Sequence, residues 1–367
     1  LEEKQIALGK LEEVKNEALN QVSQAHSNND VKIAENNGIA KISEVHPETS
    51  IKRNAKQEIE QVAQSQIDTI NANNKSTNEE KSAAIDRVNV AKIDAINNIA
   101  NATTTQLVND AKNNGNTSIT QILPSTAVKT NALAALATEA KNKNAIIDQT
   151  PNATAKEKEE ANNKVDRLQE EADANILKAH TTDEVNNIKN QAVQNINAVQ
   201  VEVIKKQNVK NQLNQFVDNQ KKIIENTPDA TLEEKAEANR LLQNVLTSAS
   251  DEIANVVHNN EVDQALDKAR PKIEAIVPQV SKKRDALNAI QEAFNSQTQE
   301  IQENQEATNE EKTEALNKIN QLLNQAKVNI DQAQSNKDVD NAKTRIIQDI
   351  EQIQAHPQTK ETGRHLS

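Results

Sequence analysis

A single interval constrains this chain more than any other feature. Lys4, Lys81, Lys158, Lys235 and Lys312 follow one another at a constant spacing of 77 residues, and the register never slips. Ala7, Ala84, Ala161, Ala238 and Ala315 keep it, as do Ala18, Ala95, Ala172, Ala249 and Ala326. Val45, Ile122, Val199, Ile276 and Ile353 keep it too, and so does a proline column, Pro47, Pro124 and Pro278, with Val201 in the third copy. A gapless period of this length marks a tandem array, whose units bury their apolar faces within themselves and against their neighbours.

Composition limits what the unit can be made of. With 4 Gly and 7 Pro in 367 residues, tight turns are few and long helices are favoured. Two Phe are the only aromatic residues, and Met and Cys are absent, so the core must come from Ala, Ile, Leu and Val. Side chains this small suit thin helical bundles rather than a large globule with a deep pocket.

Within a repeat the apolar spacing is helical. Ala7, Leu11, Val14, Ala18, Val22 and Ala25 fall on one stripe, which the second copy repeats with Ala84, Val88, Ala91, Ala95, Ile99 and Ala102. Val31, Ala34, Gly38, Ile42 and Val45 form a second stripe. Ala55, Ile59, Val62 or Ala63, Gln66 and Ile70 form a third. Three amphipathic helices per repeat follow. Thr77, Thr154, Thr231 and Thr308 precede Glu80, Glu157, Glu234 and Glu311 by three residues, which is the pattern of a capping box. Ser27 with Asp30, Thr181 with Glu184, and Ser335 with Asp338 mark the second helix in the same way. The Pro47 column separates the second helix from the third, and Pro151 and Pro228 fit a break before the capping Thr.

Helices of roughly 24, 17 and 22 residues with short links predict an all-α chain of up-down-up three-helix bundles. An odd helix count lets the chain enter at one pole and leave at the other, so tandem copies should stack end to end into an elongated rod. At 1.5 Å per residue the array should span roughly 150–220 Å. Cut at the caps, the repeats are 1-76, 77-153, 154-230, 231-307 and an incomplete 308-367. Lys52, Lys129, Lys206, Lys283 and Lys360 share a column, after which Gly363 stands where Ala55 does in the first copy. The last copy is therefore expected to lack its third helix and to be the least stable unit. The capping boxes predict a helix restart at each junction, with limited bending. Leu1 begins inside a repeat, so the sequence reads as a piece of a longer chain.

Chemistry-bearing patterns are missing. The net charge of -12, from 55 acidic and 43 basic residues, opposes nucleic acid and anionic membrane as partners. No apolar run approaches the ~20 residues that cross a bilayer. Without Cys there is no disulfide, thiolate metal site or Cys nucleophile. His26 and His180 share a column, but Thr103, Val257 and Gln334 replace them, and no paired-His metal spacing exists. Ser27-Asn28-Asn29-Asp30 lacks the ligand order of a calcium loop. Glu2-Glu3 and their copies read as capping and first-turn charges that favour the helix dipole. Phe216 and Phe294 fall in the columns of Val62 and Ala63 and read as core fillers. Neither a catalytic residue, a cofactor, a metal nor a small-molecule substrate is expected.

The junction motifs Asn152-Ala153-Thr154-Ala155-Lys156-Glu157-Lys158, Asp229-Ala230-Thr231-Leu232-Glu233-Glu234-Lys235 and Ala307-Thr308-Asn309-Glu310-Glu311-Lys312 resemble a known family. So does Val108-Asn109-Asp110-Ala111 through Gly115, Ile119, Ile122 and Pro124. It is the tandem domain-of-unknown-function repeat of staphylococcal cell-wall-anchored surface proteins, found in SasC, FmtB and Ebh. The resemblance implies an extracellular, wall-anchored protein with a signal peptide and a sorting signal outside this sequence, and a setting of adhesion, aggregation and biofilm. Two functions remain open. One is a stalk that projects an adhesive domain from the cell wall. The other is a repetitive binding module for a host serum or extracellular-matrix protein, with self-association between cells as a further candidate contact.

Overall fold

The computed structural model describes residues 2–365, and every described element is an α-helix. They are α1 (Glu2–Gln24), α2 (Asn28–Ser43), α3 (Ser50–Asn71), α4 (Asn78–Asn101), α5 (Thr105–Thr120), α6 (Ala127–Asp148), α7 (Ala155–Lys178), α8 (Thr182–Asn197), α9 (Lys205–Glu225), α10 (Leu232–Asn255), α11 (Asn259–Glu274), α12 (Lys282–Gln302), α13 (Asn309–Gln332), α14 (Asn336–Glu351) and α15 (Gln358–His365). Three lengths recur, as the apolar stripes require: 24 residues in α4, 16 in α5 and 22 in α6.

The chain divides into two compact units. One runs through Asp148 and includes Asn162–Gln200; the other comprises Gln149–Ala161 and the residues from Val201 on. In the first unit, α3, α4 and α5 pack mutually into a bundle around Ile59, Ile70, Val88, Ile99 and Ile119, all with no exposed surface. There α6 also lies against α8, and α7 meets α6 through the Asn162–Asp148 and Asn144–Asp166 side-chain hydrogen bonds. The second unit holds the bundle α9–α10–α11, around Leu213, Ile224, Leu242 and Ile253, and the bundle α12–α13–α14, around Ile290, Ile319 and Ile350. Burying each such Ile or Leu stabilises by about 1.5–3 kcal/mol. Each bundle thus depends on a handful of large side chains set among alanines.

The period is as read, but the packing unit is shifted within it. Cuts at 1-76, 77-153, 154-230 and 231-307 would group α3 with α1 and α2; instead α3 packs on α4 and α5. The region 308-367 does not lack its third packing face, because α12 completes α13 and α14. The links explain the phase. From α3 to α4 the chain turns within six residues. Asn73 Oδ1 accepts the Lys75 N–H at 3.0 Å, and Asn304 does the same for Glu306 between α12 and α13. In the other two copies Pro151-Asn152 and Pro228-Asp229 make the turn, with φ 64° at Asn152 and Asp229, a left-handed value that Asn and Asp tolerate. These tight turns fold the second helix back on the first. The link from α2 to α3, by contrast, runs without regular structure through Pro47, and the α5–α6 link does so through Pro124. Proline and its predecessor hold such a segment extended, which carries the chain onward instead of back.

Close approach shapes the α4–α5 contact. A Cβ added to Gly115 would lie 2.6 Å from Ala95 Cβ and 2.9 Å from Ile59 Cδ1, so only glycine fits at this spacing. Gly38 faces Ala18 in the same way across α1 and α2.

Candidate functional site: the bundle ends

The capping residues sit at the ends of the bundles, where helices of consecutive bundles meet. The Thr77 N–H donates to Glu80 Oε1 at 2.9 Å, and the Glu80 N–H returns to Thr77 Oγ1 at 3.3 Å. Thr154 with Glu157, Thr231 with Glu234, and Thr308 with Glu311 repeat both bonds. Thr77, Thr154 and Thr231 are fully buried. Helices therefore stop and restart at these points. Ser27, Thr181 and Ser335 also accept from Asp30, Glu184 and Asp338, as the second-helix motif requires.

Each capping glutamate has a second task. Its free oxygen reaches the start of a helix about 48 residues further on. Glu80 accepts from Val128 N–H at 3.3 Å, and Glu157 from Ile204 and Lys205 at 2.7 and 3.0 Å. Glu234 accepts from Ser281 and Lys282 at 2.8 and 3.1 Å, and Glu311 from Gln358 at 2.9 Å. One carboxylate thus closes two helix N-termini, where free N–H groups and the helix dipole favour negative charge. Burial works to raise the Glu80, Glu157 and Glu234 carboxyls, but the converging backbone N–H groups hold all three below their ordinary value.

The preceding glutamate does the same 103 residues on. Glu2 accepts from Thr105 N–H at 3.0 Å, Glu79 from Thr182 at 3.0 Å and Glu233 from Asn336 at 2.8 Å. In the third copy this residue is Lys156, which offers no acceptor. A backbone bond lies beside two of these pairs, Asn78 N–H to His180 C=O at 2.8 Å and Leu232 to Gln334 at 2.9 Å, and beside Lys156 as well, Ala155 to Val257 at 2.8 Å. This column contributes backbone groups, its carbonyl in each copy and at His180 also its N–H, which donates to Glu184 at 2.8 Å; for that reason His180, Val257 and Gln334 interchange. His26 and His180 have exposed side chains, and no group of three His, Cys, Asp or Glu among the described residues could hold a metal.

Two further columns complete the ends, and their roles were not evident from the spacing. Lys129 is buried, and its Nζ donates to the carbonyls of Leu177 and Asn74 at 2.8 and 2.9 Å. Lys52, Lys206 and Lys283 reach Ala100, Ala254 and Asp331, each at the C-terminal end of a helix, where positive charge is favoured. Burial lowers the Lys129 and Lys206 amines, with Lys81 adding to the effect at Lys129 and Lys210 at Lys206. Gln66, Gln220 and Gln297, buried in an otherwise apolar stripe, donate to the carbonyls of Ile122, Ile276 and Ile353 just past the second helix. Lys143 occupies that column in the remaining copy and reaches Asn197 at 3.0 Å. The signal was present in the sequence: a polar residue kept at a core position needs a fixed partner.

Phe216 and Phe294 are half-buried at the margin of the core, and the Arg270 guanidinium lies 4.8 Å from the Phe216 ring centroid. No described helix is long and apolar enough to cross a membrane. The geometry holds helix ends together, and it keeps the Glu80, Glu157 and Glu234 carboxyls below their ordinary value, the opposite of what a general acid needs.

Comparison with known proteins places this arrangement. The model of the Domain of Unknown Function (DUF1542) matches residues 1–50, 51–127, 128–204, 205–281 and 282–358. Four of these segments coincide with the helix triplets beginning at α3, α6, α9 and α12. Among relatives, the chain is 26% identical over 336 residues to "Extracellular matrix-binding protein EbhA" of Staphylococcus aureus strain Newman, covering 91% of this chain and 10% of that protein. It is 27% identical to the protein of the same name in strain Mu3, covering 91% of this chain and 5% of that protein. The chain thus spans a tenth or less of these relatives. No solved structure matches it. By its repeats, their phase and the extent of the match, the chain belongs to the DUF1542 family.

Proposed function

We propose that this array is a structural stalk within a bacterial cell-surface protein, holding an adhesive region away from the cell wall. The observation that carries the reading is the repeated clamp at the bundle ends. Each capping glutamate ties two helix starts, backbone bonds from Asn78, Ala155 and Leu232 lie beside three of the four caps, and buried lysines and glutamines such as Lys129 and Gln220 hold further helix-end carbonyls. A spacer needs joints that resist bending, and polar bonds spread over several helix termini supply that without a ligand. Small-angle scattering on the whole chain tests it. The expected result is an elongated particle approaching the roughly 150–220 Å that end-to-end helices allow. A compact particle, or one with the profile of a flexible chain, refutes it.

A second reading has one specific support: the relatives are named as extracellular matrix-binding proteins. Under it the repeats bind a host matrix or serum protein. Surface-immobilised chain exposed to a panel of such proteins separates the two. Saturable binding favours the module, and its absence leaves the stalk.

A further inference from the structure

The links that lead from one bundle to the next are not equally secured. In the α5–α6, α11–α12 and α14–α15 links the chain is held at two points. Gln66, Gln220 and Gln297 donate to the carbonyls of Ile122, Ile276 and Ile353. Two residues further on, Pro124, Pro278 and Ala355 are buried. The α5–α6 link has two more donors, Ser76 Oγ to Ser125 C=O at 2.7 Å and Arg87 to Leu123 C=O at 2.9 Å.

The α8–α9 link has lost every one of these. Lys143 replaces the Gln and donates to Asn197, two residues short of the Val199 carbonyl. Ala153, which has no side-chain donor, stands in the Ser76 column. Val201 stands where the other links bury Pro or Ala, and it is only half-buried. Among the described residues, no hydrogen bond reaches the backbone of Gln200, Val201, Glu202 or Val203. The next N–H along, that of Ile204, is fixed on Glu157. Gln200, Glu202 and Val203 are exposed.

The segment Val199-Gln200-Val201-Glu202-Val203 also has the right shape to be read. It runs without regular structure, contains neither Pro nor Gly, and sets β-branched residues at alternate positions, which favours an extended backbone. Extended peptides are recognised through their main-chain N–H and C=O groups, which the helices elsewhere spend on their own hydrogen bonds. An endopeptidase with a small primary pocket selects a small aliphatic side chain such as valine.

We propose that the α8–α9 link is a proteolytic processing site for an endopeptidase of small-aliphatic specificity, cut at the Val201–Glu202 bond. Water adds to the Val201 carbonyl carbon and the C–N bond breaks, leaving a carboxylate on Val201 and an amine on Glu202. The cut falls between helices, so the products 1–201 and 202–367 keep α6–α8 and α9–α11 uncut. The site is independent of whether the array serves as a stalk or as a binding module.

Limited digestion of the whole chain with pancreatic elastase, read by intact-mass spectrometry, tests this. The first cut should fall within Val199–Ile204, with Val201–Glu202 the foremost bond. The double variant Lys143→Gln, Ala153→Ser supplies donors for the Val199 and Glu202 carbonyls without altering the cut sequence. It should slow the first cut at least ~10-fold. If circular dichroism shows that it loses helix, Lys143→Gln alone decides, with an expected slowing of at least ~3-fold. A first cut elsewhere in the chain overturns the proposal, as does resistance of the whole chain to the protease. A rate that the deciding variant leaves unchanged overturns it as well.

Discussion

Replacing Glu234 with Gln asks whether the clamp carries energy. The wild-type carboxylate receives N–H groups from Thr231, Ser281 and Lys282 at 2.9, 2.8 and 3.1 Å. A glutamine can keep the Thr231 bond through its carbonyl oxygen, but it then turns an NH2 group toward two N–H donors. Bonds to a charged acceptor contribute about 1.5–3 kcal/mol each. Glu234 is half-exposed, so water recovers part of both, leaving a net cost of about 1.5–2 kcal/mol, a factor of roughly 10–30. Native-state hydrogen exchange reads this locally. The Ser281 and Lys282 amides should exchange faster by that factor, while those of α3–α5 stay unchanged. pH provides a second arm. The folded Glu234 carboxyl lies below its ordinary 4.5. Its contribution is therefore complete above that value and is lost as pH falls through the lower folded one. Wild-type and Glu234→Gln protection should converge in that acidic window. Equal exchange at neutral pH in the two proteins would refute the clamp as an energetic element.

Four further outcomes are expected. Lys156→Glu should slow exchange at the Asn259 amide several-fold, since it restores the missing acceptor at a helix start that His258 does not cap. Gly115→Ala should destabilise the α3–α5 bundle by about 1–3 kcal/mol in thermal unfolding, and adding Ile59→Val should recover part of the loss by clearing the second close contact. Gln220→Leu should cost about 1–2 kcal/mol, read as faster exchange around Ile276, because the carbonyl loses its buried donor. Leu242→Ala should cost about 2–5 kcal/mol in chemical unfolding of the α9–α11 bundle.

The helices, their lengths and their starts were legible because local physics writes them into short windows. Thr77 and Glu80 announce a capping box whatever lies nearby, and the Ala7 and Leu11 spacing marks a face whatever covers it. The phase of the bundles was harder to read. In a periodic sequence every cut gives the same helix list, and packing partners are chosen by the links. The distinction between the tight Asn73–Ser76 turn and the extended Pro47 segment was available, but it concerns chain direction and not helix strength. The double role of Glu80 was hidden because its second partner, Val128, lies 48 residues away and contributes only a backbone N–H, which every residue but proline has. Gln66 was placed on the right stripe, yet nothing local tells that its target is Ile122.

The spacing of the clamp has a genetic consequence. Each bundle end is assembled from residues contributed by more than one period, at offsets of 48 and 103 from the glutamate pair. A crossover between misaligned copies, wherever it falls, reconstitutes these offsets as long as whole periods are gained or lost. A shift of even one residue would break every bond at that end. Whole periods can therefore be gained or lost without changing the offsets at a joint, and lengthening the array needs no new design there.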